Sequence, residues 1–182
     1  MKRFCLILCL ALALALAACG GPQVVVVKGE GAQQAIEKKS LAIVFSGKTS
    51  TGWTKHQRGT GLQQPMVTDE EKRATSARCK ELGNGIAKYL RPMSQAQLAP
   101  YLASSDKDFR NALTMEVNRI IADTDGSADI VVTVSYGARG SDKQGWSRII
   151  HIQASPFSSA ESVSRELADS MLAQLKASAL IQ

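Results

Sequence analysis

Histidine is scarce in this chain: two occur in 182 residues, His56 and His151. A catalytic site needs a nucleophile, a base and a group that orients the base, and neither histidine is placed to serve. His56 stands between Lys55 and Arg58, which disfavour its protonated form, and no acidic residue close in sequence orients it. His151 lies in the apolar run Ile149-Ile150-His151-Ile152 and reads as a strand residue facing solvent or a satisfied polar neighbour. No two of His56, His151, Cys79 and the carboxylates have the spacing of zinc ligands. A third glycine is also lacking. Gly29-Glu30-Gly31, Gly59-Thr60-Gly61 and Gly83-Asn84-Gly85 each offer two, but none follows a strand and opens a helix as a dinucleotide site requires. Asp123-Thr124-Asp125-Gly126 imitates the start of a calcium loop, yet the position of the distal glutamate falls on Val134; a plain turn is expected. The reading is non-enzymatic, with no metal or cofactor.

The N-terminal apolar stretch is too short to cross a bilayer. A span needs about 20 apolar residues, and the run that begins at Phe4 is broken by Gly20-Gly21-Pro22. Met1-Lys2-Arg3 supplies a basic head, and small residues follow the apolar core before any acidic residue appears. These are the marks of a removed secretory peptide. The small residues lead into Leu16-Ala17-Ala18-Cys19, which resembles the lipobox of bacterial lipoproteins. The resemblance implies that residues 1–18 are a signal peptide, that the Cys19 sulfur carries a diacylglycerol, and that the new amine is acylated by a fatty acid such as palmitate. One acyl chain binds a membrane only marginally, whereas several hold it durably. Gly20 after the cysteine implies, by the same resemblance, sorting to the outer membrane with the domain facing the periplasm. Inner-membrane anchoring and a single-membrane host stay open.

Of the four cysteines, Cys5 and Cys9 leave with the signal and Cys19 is modified, so Cys79 stands alone and no intramolecular disulfide is available. The formal charge of +6 falls near +4 once Lys2 and Arg3 are removed. The excess sits between Lys28 and Arg58, near the membrane, where basic side chains favour anionic headgroups; a merely solvated linker fits equally. Export removes the chain from nucleic acid.

Residues 19–39 read as a lipidated N-terminus and tether, with Val24 to Val27 as an edge strand added to the domain. Residues 40–182 form the domain. Leu41-Ala42-Ile43-Val44-Phe45 is an unbroken apolar run of strand length. Gly47 to Val67 is a long polar loop presenting Trp53, Lys55, His56 and Arg58, and loops of that length tend to be functional. Thr68 with Glu71 predicts a capping box and a helix to Leu90, stopped by Pro92, with Cys79, Leu82, Ile86, Tyr89 and Leu90 on its buried stripe. Ser94 with Gln97 starts a short helix, and Ser105 with Asp108 another, whose apolar face is Phe109, Leu113, Val117, Ile120 and Ile121. Ile130 to Tyr136 and Trp146 to Gln153 form an antiparallel hairpin. Ser158 with Glu161 caps a terminal helix.

The fold class is therefore α+β: a small mixed or antiparallel sheet in the order β-α-α-β-β-α, with helices packed on one face. Element order and anchor are similar to small α/β periplasmic accessory lipoproteins that activate cell-wall synthases or build secretion channels. That resemblance implies an accessory or assembly module of an envelope complex. An aromatic beside cations is a common partner-binding surface, so Trp53, Lys55, His56, Arg58 and, at the hairpin tip, Trp146 are the candidate contacts with another envelope protein. The alternative is a periplasmic carrier of a lipid or small apolar ligand, held between helices and sheet. Oligomeric state is not legible.

Overall fold

A computed structural model describes residues 23–28, 35–46, 49–54, 67–105, 108–138 and 145–182. Residues 1–18, expected to be a signal peptide, and Cys19, Lys55, His56 and Arg58 lie outside the described residues. The strands are β1 (Gln23–Lys28), β2 (Leu41–Ser46), β3 (Ser50–Thr54), β4 (Asn111–Asp123), β5 (Ala128–Ala138) and β6 (Trp146–Ala154). The helices are α1 (Asp69–Gln97), followed by a 3-10 turn at Ala99–Tyr101, and α2 (Ala160–Ala177). They build one mixed sheet in the order β1-β6-β5-β4-β2, with β3 pairing β4 beyond β2. The α+β class and the single helical face stand; the chain order is β-β-β-α-β-β-β-α.

The segment expected to form a helix from Ser105 is mostly strand. Ser105 and Asp108 do form a turn, with Asp108 N–H donating to Ser105 O at 3.1 Å, but β4 then runs extended for 13 residues. A bulge between Val117 and Arg119 shifts the pairing with β5, so the phase of in-and-out alternation moves by one residue. Leu113, Met115 and Val117 face the core before it, Ile120 and Ala122 after it. Leu113, Val117 and Ile120 are thus four and three residues apart while lying on one face of a strand, which imitates the helical period.

The first helix begins as the sequence predicts. The Thr68 hydroxyl accepts from Glu71 N at 3.2 Å, and Glu71 Oε2 accepts from Thr68 N at 2.7 Å. It does not stop at Pro92 but absorbs the separate helix expected from Ser94. Proline removes one backbone donor, whereas the buried stripe Thr75, Cys79, Leu82, Ile86, Leu90 and Ser94 continues across it to Leu98, which is fully buried. Packing outweighs the local defect. The second helix starts one residue later than expected, capped by Ser159, whose hydroxyl accepts from Ser162 N at 3.1 Å.

Val24 to Val27 does form the edge strand, antiparallel to β6, with Gln23 opposite His151 and Val25 opposite Ile149. Within the span 19–39 expected as a tether, β1 belongs to the sheet and Ile36 is buried in the core with its N–H on Leu180 O at 2.7 Å. Both helices lie on the face that carries Leu113, Met115, Ile120, Ile130, Val132, Val134, Ile150 and Ile152, each essentially without exposure. Cys79 is a free core thiol, its Sγ 3.2 Å from Gly52 O.

Candidate functional site

Two surfaces stand out once the core is accounted for. The first is the sheet face opposite the helices. Alternation puts Val25, Val44, Thr114, Ile121, Val131, Thr133, Ile149 and His151 there, and no described helix covers them. Val25 is 50% and Val44 39% exposed. Among the described residues one ion pair crosses the face, Arg119 Nη2 to Asp129 Oδ2 at 3.2 Å.

The second surface is the end of the domain where β3 and β6 finish and both helices begin. Trp53 sits here, opposite Ala122 in the parallel β3–β4 pair, and is 48% exposed. On the other side of this end, Ser155-Pro156-Phe157-Ser158 joins β6 to α2 as a tight turn, with Ser158 N–H donating to Ser155 O at 3.0 Å. Proline at the second position suits such a turn because its φ is preset. The Ser158 hydroxyl accepts from Ser155 N at 3.0 Å, and Arg78 on α1 donates to Ser155 O at 3.3 Å, Ser158 O at 2.6 Å and Gly126 O at 3.4 Å. Phe157 at the tip of this clamped turn is 96% exposed.

The sequence-predicted contact residues are not all brought together. Trp146 is a correction: it opens β6 at the turn end of the hairpin, as expected, but is 1% exposed and so presents no contact surface. Its ring packs in the core, its Nε1–H donates to Ser178 Oγ at 2.8 Å, and the Arg148 guanidinium lies over it at 4.9 Å. A buried indole with its donor satisfied is a packing residue. Trp146 pairs with Tyr136 whereas Trp53 is in the row of Ala122, Ala128 and Ala154, so the two tryptophans are about 27 Å apart along the strands. Phe157 escapes the sequence reading; the signal that finds it is an aromatic after proline within a serine-flanked turn.

No known family model matches the chain, and no curated protein matches it. Among solved structures, the dodecamer of a single-residue variant of PelC from Paraburkholderia phytofirmans is similar at 15% identity and a TM-score of 0.44, covering 85% of this chain and 96% of that one. The PelC dodecamer from the same organism gives 14% identity and a TM-score of 0.42 over 88% and 99%. Likeness at this level assigns neither fold nor function to this chain.

The space between helices and sheet, where a carried ligand would sit, is filled by Leu82, Ile86, Leu90, Leu167 and Met171 with the strand residues above. Two grooves lie at the periphery. One of about 750 Å³ follows α2 along Glu161, Ser162, Arg165, Glu166 and Asp169, where partial burial raises the Glu166 carboxyl above its ordinary pKa. The other, about 500 Å³, lies between Ile36, Tyr101, Leu172 and Leu180, with Lys38 and Lys176 among its lining. Tyr136, buried near Glu37, has its phenol raised first by desolvation and then by that carboxylate. Among the described residues no group of histidine, cysteine and carboxylates is arranged to hold a metal, and no helix is long and apolar enough to cross a membrane.

Proposed function

We propose that this chain is a lipid-anchored, non-enzymatic accessory module of a cell-envelope assembly, tied to the outer membrane through Cys19 and engaging another envelope protein with the open face of its sheet. The observation that carries the reading is the one-sided cladding of the sheet. Helices cover one face, while the other presents β-branched side chains and small polar ones in an extended array, a surface suited to a protein partner rather than to chemistry. The lipobox at Leu16-Ala17-Ala18-Cys19 supports the anchoring. The carrier reading finds no support in the packed interior.

The test is co-purification. Val131→Lys and Thr133→Lys place charges on the open face, away from the core, and are expected to abolish recovery of a partner from solubilised envelopes without lowering the melting temperature. Unchanged recovery refutes the assignment of this face. Anchoring is tested separately: Cys19→Ala should leave the membrane fraction and retain its unprocessed N-terminus.

A further inference from the structure

We infer that the domain stands with its Phe157 end against the bilayer, Phe157 and Trp53 being seated at the level of the lipid headgroups. The inference rests on the lipid anchor proposed above and adds the orientation and the contact residues. Only Gly20, Gly21 and Pro22 stand between Cys19 and the first strand at Gln23, and the span from Cys19 to Gln23 reaches at most about 14 Å. The strand that follows starts at Gln23, opposite His151, and runs away from the end where β6 finishes at Ala154. From Gln23 that end is three residues along β6, about 10 Å. The opposite end, beyond Trp146, begins about 17 Å away in the other direction. The short lead therefore holds the Phe157 end, and not the Trp146 end, beside the membrane.

What that end displays fits a lipid interface. Phe157 projects from a turn fixed by Pro156, by the Ser155–Ser158 hydrogen bonds and by Arg78, so its 96% exposure is a held position. Trp53 stands half-exposed at the other corner of the same end. Aromatic rings are favoured at the boundary of headgroups and acyl chains, and a second contact adds to an acyl anchor. Asp69, Glu70, Asp125 and Glu161 are exposed on this end, with Asp69 paired to Lys72 and Glu161 to Arg165, so the contact rests on the two aromatic rings rather than on the charge of the lipid.

The experiment uses the full lipidated protein, reconstituted from detergent into vesicles of phosphatidylethanolamine and phosphatidylcholine. In the double variant Trp53→Phe, Phe157→Trp, the new indole reports the turn while Trp146 remains a buried reference. Acyl-chain bromine should quench the new indole, and its quenching by aqueous iodide should fall about threefold on reconstitution; adding phosphatidylglycerol should not strengthen either effect. Phe157→Ser should melt at the wild-type temperature yet abolish the shielding of Trp53. If the vesicles carry the protein on flotation while the indole stays open to iodide and untouched by bromine, the orientation is refuted and the anchor survives. If the protein does not float, anchor and orientation fall together. Shielding seen in native envelopes but not in protein-free vesicles also overturns the inference, and assigns the turn to a protein partner.

Discussion

Gly85 on α1 lies so close to Ala160, the first residue of α2, that a methyl group built on Gly85 would overlap the Ala160 Cβ. The two helices are therefore packed backbone to side chain at this crossing, and only glycine fits. Gly85→Ala should destabilise the protein by about 1–3 kcal/mol, since overpacking a tight contact forces backbone shifts. Denaturant unfolding checks it, and the double variant with Ala160→Gly should recover more than half of the loss, because the two positions are directly coupled.

Arg78 joins α1 to two turns through three backbone carbonyls and is mostly buried, with its side chain 13% exposed. Removing it leaves those carbonyls short of a charged donor. Arg78→Ala should cost about 2–3 kcal/mol. Arg78→Lys should recover little of this, because an ammonium does not reproduce the fork of a guanidinium. Proteolysis within Ser155–Ser158 should quicken in both variants, as limited digestion and mass spectrometry would show.

Glu166 has its pKa raised by desolvation. A carboxyl raised in the folded state leaves stability intact below its unfolded pKa and diminishes it as pH rises through the folded value. Glu166→Gln should therefore melt up to about 2 °C higher than the wild type at pH 7, with the difference vanishing below about pH 4. Melting curves across pH decide it; a difference that grows in acid contradicts the sign.

The tryptophans should separate spectroscopically. In the unlipidated Cys19→Ala protein, Trp53→Phe leaves Trp146 in the core, so emission should be blue and resistant to iodide; Trp146→Phe leaves the half-exposed Trp53 and should give red, quenchable emission. Trp146→Phe should also cost about 1–3 kcal/mol through the lost bond to Ser178 and the space left behind.

The parts of the fold that are legible in the sequence are those where a single period governs. The stripe Cys79, Leu82, Ile86 and Leu90, the capping box at Thr68 and the hairpin of β5 with β6 read correctly, with Tyr89 only half-buried beside that stripe, because no defect falls in the relevant windows. The misreadings occur where one local irregularity changes the phase or the expected stop. The bulge at Val117–Arg119 makes a strand look like a helix, and the one donor missing at Pro92 has little force against a continuous buried stripe. At the surface, the cations after Trp53 draw notice to residues 47–67 as a loop, although Ser50–Thr54 within it is strand β3, while Phe157, without charged neighbours in sequence, draws none. Exposure of an aromatic is set by what packs over it in space, and no local pattern encodes that.

The sheet also imposes an order of assembly. Gln23–Lys28 leaves the ribosome early, but its one neighbour among the described strands is Trp146–Ala154, more than a hundred residues downstream. Closing so large a loop is costly in entropy and slow, so the first strand stays without a partner until nearly the whole polypeptide is available. Maturation of this domain is thus a late, all-at-once event, and a truncated chain lacking β6 would leave the N-terminal strand with nothing to join.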